Sequence, residues 1–194
     1  MRYGIFGGSF DPPHLGHLIA AQSVAIGCEL DLVFWVPTGE SYHKAPTTAA
    51  HHRFAMVEAA IASNPRFAVS EVDILRPGPT YSYDTVTDLE AQYPGSSFTL
   101  MMGDDAFATL GSWNRAAQLR ERVSIAVVTR ESGQTPQAQD ASLRWIAIPH
   151  IAISSSECRD RVRSGSDIRY LVPESVGAYI NEHSLYSENY EPGV

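Results

Sequence analysis

Strand-length apolar runs recur along this chain, and the strongest of them are closed by a glycine or a proline. Arg2 to Phe6 reaches Gly7-Gly8, and Leu32-Val33-Phe34-Trp35-Val36 meets Pro37. Phe98-Thr99-Leu100-Met101-Met102 meets Gly103, and Trp145-Ile146-Ala147-Ile148 meets Pro149. Phe67 to Ser70 and Ile125 to Val128 add shorter runs. A run as apolar as 32–36 suits a parallel strand covered on both faces. Helical patterns stand between the runs. One starts near His14 and carries Leu15, Leu18, Ile19, Gln22, Val24, Ala25 and Ile26 on one face, with Gly27 as its stop. Others cover 51–63 (Phe54, Val57, Ile61), 82–93, 106–110, 115–120 and 157–163. The last begins with Pro173 as its first helical residue and shows Val176, Tyr179, Ile180 and His183 on one side. Strand and helix thus alternate. The expected fold is α/β: a doubly wound parallel sheet with right-handed crossovers, helices on both faces and a small C-terminal helical annex from about residue 150. Residues 38–50 read as a polar loop, Arg76-Pro77-Gly78-Pro79 as a rigid turn, and 131–142 as a mobile surface loop.

Composition narrows the class. A length of 194 residues fits one domain spanning 1–194, and 44% hydrophobic against 19% charged residues excludes a wholly disordered chain. A formal net charge of −8 argues against non-specific nucleic-acid or anionic-membrane binding, although a local cluster of donors can still hold a phosphate. Two cysteines, Cys28 and Cys158, form no disulfide framework. The N-terminus meets glycines too early for a secretory signal, and no apolar run approaches a membrane span. The expectation is a cytoplasmic protein without nucleic-acid or membrane partners. A homo-oligomer is compatible with the sequence, which does not fix the assembly.

In doubly wound sheets, ligands bind beyond the C-terminal strand ends, where strand order reverses. The first such end carries Gly7-Gly8-Ser9-Phe10-Asp11-Pro12-Pro13-His14-Leu15-Gly16-His17. Glycines let backbone approach a ligand closely, and the following helix start offers N–H groups and partial positive charge, together an anion site. His14 and His17, three residues apart, can share one face of the first turn, with Gly16 leaving room for a bulky group. The pair could also be half a metal site, but no nearby Cys or second His pair completes a tetrahedral set, and His51 and His52 are adjacent on a helix and diverge. No protein-held metal is expected.

This segment resembles the nucleotidyltransferase signature Gly-Gly-x-Phe-Asp-Pro-x-His-x-Gly-His. The resemblance implies a Rossmann-like nucleotidyltransferase fold. It also implies that His14 and His17 bind ATP phosphates and stabilise the transition state, and that Gly7, Gly8, Ser9 and Phe10 line the pocket through their backbone. Four further segments, in the same chain order, are similar to nicotinate-nucleotide adenylyltransferases. Val36-Pro37 through His43-Lys44 resembles the family's Val-Pro…Pro-Pro-His-Lys, with Ser41-Tyr42 in place of the prolines, and implies Lys44 as a flexible phosphate-reaching charge. Arg76-Pro77-Gly78-Pro79-Thr80-Tyr81-Ser82-Tyr83-Asp84-Thr85 resembles Arg-x-Gly-Pro-Ser-Tyr-Thr-x-Asp-Thr. There Ser82 is expected as N-cap, and Thr80, Tyr81 and Thr85 as mononucleotide-binding residues, with Thr85 donating to the pyridine carboxylate. A purely capping role for Ser82 and Thr85 is the alternative.

Met102-Gly103-Asp104-Asp105-Ala106 with Ser112-Trp113 resembles Gly-x-Asp-Ala followed by Trp. It implies Gly103 and Asp105 near ATP, Asp105 also on ribose hydroxyls, and Trp113 stacked on the pyridine ring. Ile153-Ser154-Ser155-Ser156-Glu157-Cys158-Arg159 resembles Ile-Ser-Ser-Thr-x-Ile-Arg. It implies Ser154, Ser155 and Arg159 on ATP phosphates, with Cys158 as packing. Leu171-Val172-Pro173 and the final helix match the family's C-terminal end.

The implied reaction joins ATP and nicotinate mononucleotide to give deamido-NAD and pyrophosphate, with Mg²⁺ accompanying ATP. Ser9 and Lys44 would also contact the mononucleotide phosphate, and His14, His17, Lys44 and Arg159 would be the catalytic set. A nicotinamide-mononucleotide or phosphopantetheine adenylyltransferase is the sister reading. An inactive nucleotide-binding regulatory module is the reading from another class.

Overall fold

The computed structural model describes residues 1–41, 48–129 and 142–188. In chain order the elements are β1 (Arg2–Gly8), α1 (Leu15–Gly27), β2 (Leu32–Pro37), β3 (Glu40–Ser41), α2 (Ala50–Ile61), β4 (Phe67–Val69), α3 (Val72–Leu75), β5 (Pro79–Thr80) and α4 (Ser82–Gln92). There follow β6 (Ser97–Gly103), α5 (Asp104–Thr109), a 3₁₀ turn (Leu110–Ser112), α6 (Ala116–Arg122), β7 (Ser124–Thr129), β8 (Leu143–Ala147), α7 (Ser155–Arg163) and α8 (Glu174–Glu182). Six strands form one parallel sheet in the order β4-β2-β1-β6-β7-β8. The chain leaves β1 toward one edge through β2 and β4. It then returns to the other side of β1 to lay down β6, β7 and β8. The order therefore reverses between β1 and β6, which is where a doubly wound sheet opens a crevice.

Because side chains alternate across a strand, each central strand feeds two cores. Val33, Trp35, Met101, Ala126 and Val128 face α1, α2 and the C-terminal helices. Phe34, Val36, Phe98, Leu100, Met102, Ile125 and Val127 face the layer of α4, α5 and α6. Burying each large apolar side chain contributes about 1.5–3 kcal/mol, which is why continuous apolar runs are stable only as two-sided strands. The C-terminal segment shares the first core through Cys158, Val172, Val176, Ile180 and Leu185. Cys158 is fully buried there, and burial raises its thiol pKa to about 11, which fits a packing residue.

Several boundaries differ from the sequence expectation, each for a local reason. β1 runs through Gly7 and Gly8, because these pair with Val36 and Pro37 of β2. A short parallel ladder, β3 with β5, lies where a loop and a turn were expected. It is held close by Gly39, where a Cβ would sit 2.1 Å from the Asp73 carbonyl oxygen. Ser82 is not the N-cap of α4: Tyr81 takes that position with extended backbone, and its carbonyl accepts the Thr85 N–H. Pro173 stands at the N-cap of α8 rather than at its first helical position. The buried stripe of α2 is Arg53, Met56, Val57, Ala60 and Ile61, so a charge occupies a core position and Phe54 lies half outside it. The mobile loop expected at 131–142 falls, except for Ser142, outside the described residues.

Candidate active site

A cavity of about 500 Å³ opens at the reversal point. Its floor is the C-terminal ends of β1 and β6: Ile5 to Gly8 on one side, Leu100 to Gly103 on the other. Its walls come from Thr80, Tyr81, Ser82 and Thr85 at the start of α4, from Ser112, Trp113 and Asn114, and from Asp73. The segment expected to hold the mononucleotide thus converges here with the glycines, although 70 or more residues separate them in the chain. Trp113 is half-buried on the wall and its indole N–H reaches the Thr109 hydroxyl at 3.4 Å.

Beside the cavity, the loop after β1 turns through Phe10, whose φ of 49° lies in the left-handed region. Its buried ring packs edge-on to Phe6 and His17 and against Trp35, which anchors the turn from beneath. That ring is committed to the core, so only the Phe10 backbone remains for a ligand. His14 caps α1 and His17 lies in its first turn, with rings stacked at 3.7 Å between centroids. Gly16 makes this possible: a Cβ there would press on the His14 ring at 3.0 Å. The His14 backbone N–H donates to Nδ1 of His17 at 3.2 Å. In the neutral ring the proton therefore sits on Nε2, making that nitrogen the donor available for an oxyanion.

The loop is held from below and behind by groups that the sequence reading did not single out. Arg53, 1% exposed, donates to the carbonyls of Thr48 (3.0 Å), Ser9 (3.0 Å) and Gly39 (3.5 Å). Burial lowers its pKa, and the Asp11 charge pulls it back up. The Asp11 carboxylate accepts the Tyr186 hydroxyl at 2.7 Å, both groups being buried. Burial drives the Tyr186 phenol pKa well above its ordinary value, with Asp11 adding to the shift. A charged residue at a core position of α2 was the one visible sign of this network. Asp11 and Tyr186 are 175 residues apart, and nothing local links them.

The α7 segment meets the same loop. Ser154 is the N-cap, accepting the Glu157 N–H at 3.1 Å, while the Ser155 hydroxyl donates to the Pro12 carbonyl at 2.8 Å. Arg159 donates to the Asp11 carbonyl at 2.7 Å and to the Ser156 hydroxyl at 3.1 Å. Of the side chains expected on phosphate, Ser155 and Arg159 support the loop and Ser154 caps α7. Asp105 is exposed in the first turn of α5 and does not line the cavity, and its N–H donates to the Asp104 carboxylate. Ser9 is exposed, with its carbonyl on Arg53. Lys44 and His43 lie outside the described residues.

Thr85 is buried and faces inward. Its hydroxyl donates to Asp73 Oδ1 at 2.7 Å and lies 3.2 Å from the Tyr81 carbonyl. The same Asp73 oxygen accepts Arg76 at 3.0 Å, and Arg76 in turn pairs with Asp88. Burial raises the Asp73 pKa against the opposing pull of Thr85 and Arg76. Among the described residues, no group of three or more His, Cys, Asp or Glu is arranged to hold a metal ion. Nor is any helix among them long and apolar enough to cross a membrane.

A crevice at a β1/β6 reversal, flanked by a glycine loop and a helix-capping histidine pair, defines the class. A family model described as cytidylyltransferase-like matches residues 5–161. Among curated proteins, one of Leifsonia xyli described as a probable nicotinate-nucleotide adenylyltransferase is 45% identical over 95% of this chain and 94% of its own length. One of Tropheryma whipplei with the same description is 44% identical over 95% and 99%. A solved structure of Plasmodium falciparum nicotinic acid mononucleotide adenylyltransferase complexed with NaAD superposes with a TM-score of 0.79. It covers 98% of this chain and 99% of that one, and at 22% identity it supports the fold. The chain belongs to the nicotinate-nucleotide adenylyltransferase family within the cytidylyltransferase-like nucleotidyltransferases.

Proposed function

We propose that the protein transfers the adenylyl group of ATP to nicotinate mononucleotide, yielding deamido-NAD and pyrophosphate. The observation that carries this reading is the cavity at the sheet reversal, in which Thr80, Tyr81, Thr85 and Trp113 meet Gly7 and Gly8 beside the His14–His17 pair. The apolar floor and Trp113 suit a flat aromatic ring, and the glycine strand end with the α1 N-terminus suits phosphate. The likeness to relatives bearing this activity in their descriptions supports the same assignment.

In the mechanism, an oxygen of the mononucleotide phosphate attacks the α-phosphorus of ATP in line. The bond from that phosphorus to the β-bridging oxygen breaks, and pyrophosphate leaves with the electron pair. The attacking oxygen is already anionic, so no general base is required. The protein's work is positioning and neutralisation of the charge that builds on the bridging oxygens. His17 Nε2 and the start of α1 supply donors for that charge, and Lys44 adds a positive charge. Arg159, Ser155 and Arg53 act one step back, fixing the loop that presents the histidines. Mg²⁺ bound with ATP would be held by the phosphates rather than by side chains, and would supply neutralisation of charge on the leaving group. That fits a site whose nearby buried carboxylate, Asp11, is committed to Tyr186. We read the setting as the cytoplasm, in keeping with the acidic balance and with both cysteines being free.

The test is pyrophosphate release from ATP and Mg²⁺ with nicotinate mononucleotide, nicotinamide mononucleotide or phosphopantetheine added in turn. Release dependent on the first is expected. Release that needs no mononucleotide, or that follows phosphopantetheine, refutes the assignment.

A further inference from the structure

Asp73 is a puzzle for a pocket assigned to a carboxylate. It is 4% exposed, it lines the cavity, and it is itself an acid. Thr85, the expected donor to the pyridine carboxylate, has one hydroxyl proton, and its oxygen lies 2.7 Å from Asp73 Oδ1 and 3.2 Å from the Tyr81 carbonyl, with Asp73 the nearer acceptor. A hydroxyl so arranged shows only lone pairs to a ligand. An incoming carboxylate would meet an acceptor, with a buried negative charge behind it. Both problems vanish together if Asp73 is protonated. Its O–H then donates to Thr85 Oγ1, and the Thr85 hydroxyl rotates to donate outward.

We propose that Asp73 is the positioning residue for the pyridine carboxylate, taking one proton from solvent as the mononucleotide binds and so turning the Thr85 hydroxyl toward the ligand. The inference rests on the nicotinate reading and deepens it. The charge balance is simple. The ligand brings in one negative charge at the carboxylate, Asp73 gives one up, and the cavity gains none. The Thr85 proton stays on its own oxygen throughout.

The surroundings of Asp73 suit this exchange. Arg76, from the turn after α3, holds Oδ1 at 3.0 Å and favours the ionised form. Asp88, from α4, pairs with the far side of Arg76 and draws off part of that charge. On the β3 side, Gly39 packs on the Asp73 backbone, with the Arg53 guanidinium donating to the Gly39 carbonyl. Burial outweighs the favourable partners and already raises the carboxyl pKa, and a second carboxylate alongside pushes it further the same way. A group whose pKa is higher in the complex takes up a proton on binding. Affinity therefore weakens as pH rises between the free and bound values, by up to about tenfold per pH unit.

The experiment is calorimetric titration of nicotinate mononucleotide into wild-type protein and Asp73→Asn, each in two buffers of different ionisation enthalpy near neutral pH. The Asn side chain cannot take up a proton, and its amide oxygen can occupy the Oδ1 place that accepts Arg76 and Thr85. The variant should therefore bind without proton uptake at position 73, its pH dependence being set by the ligand alone. The ligand phosphate titrates identically in both proteins, so the difference in proton uptake isolates position 73. The wild type is expected to take up about one proton more than the variant. Difference infrared spectra of the wild type give a second readout that needs no variant: a protonated-carboxyl band should grow on adding the mononucleotide. Binding with equal proton uptake in both proteins, or without that band, overturns the role of Asp73 and leaves the nicotinate reading standing. No binding of nicotinate mononucleotide to the wild type overturns both.

Discussion

Replacing His17 by alanine is expected to lower kcat by about 10²–10⁴-fold, the range for loss of one positioned donor to transition-state charge. The KM for nicotinate mononucleotide should change little, because Thr80, Thr85 and Trp113 line the cavity and His17 does not. A structural cost accompanies the change. His17 Nδ1 accepts the His14 N–H, and losing that bond costs about 1 kcal/mol, or roughly 2–4 °C in Tm for a chain of this size. His17→Asn separates the two effects, since an amide oxygen can restore the cap without restoring the ring nitrogen. Asn should recover the melting temperature and leave turnover low. Turnover of His17→Ala within about threefold of wild type would contradict the role given to this ring.

Arg53→Leu is expected to be the most destabilising change at the site, by about 3–5 kcal/mol, lowering Tm by roughly 6–20 °C. Burying a guanidinium is expensive, and three backbone carbonyls and the Asp11 charge offset that expense here. Removing the cation leaves the Thr48, Ser9 and Gly39 carbonyls without this donor, the first of them buried, and takes a positive charge away from buried Asp11. Because the Ser9 carbonyl is one of the three, the same variant should raise the KM for ATP more than that for the mononucleotide. Arg53→Lys keeps the charge but not the fork, and should recover only part of the loss. Thermal unfolding of the two variants beside wild type checks this. A Leu variant melting within a degree or two of wild type would show that the clamp does not hold the loop.

Much of the site was legible because strand ends are legible. Gly7-Gly8 and Gly103 are punctuation after apolar runs, and the parallel fold brings such ends together. The stacking of His14 on His17 follows from their spacing and from the small residue between them. The supporting shell was not legible. Asp11 with Tyr186, Arg159 with the Asp11 carbonyl, and Asp73 with Thr85 are side-chain bonds between distant or oppositely facing elements, and no periodicity encodes them. Ser155 and Arg159, expected on the ligand, grip the loop that faces it, a support that the sequence did not reveal. Arg53 was missed too, since the stripe expected on α2 ran through Phe54, Val57 and Ile61, yet a signal for it existed. It occupies a core position of α2 with Met56, Val57, Ala60 and Ile61, and an arginine on a buried stripe signals a built-in set of acceptors.

The most direct test of the account is a mixed-substrate reaction: ATP and Mg²⁺ with equal amounts of nicotinate and nicotinamide mononucleotide, products separated over time. The account predicts that deamido-NAD accumulates first, with one pyrophosphate per product, while NAD stays near background until the nicotinate form is nearly spent. Earlier or faster accumulation of NAD, or formation of neither dinucleotide, would contradict it.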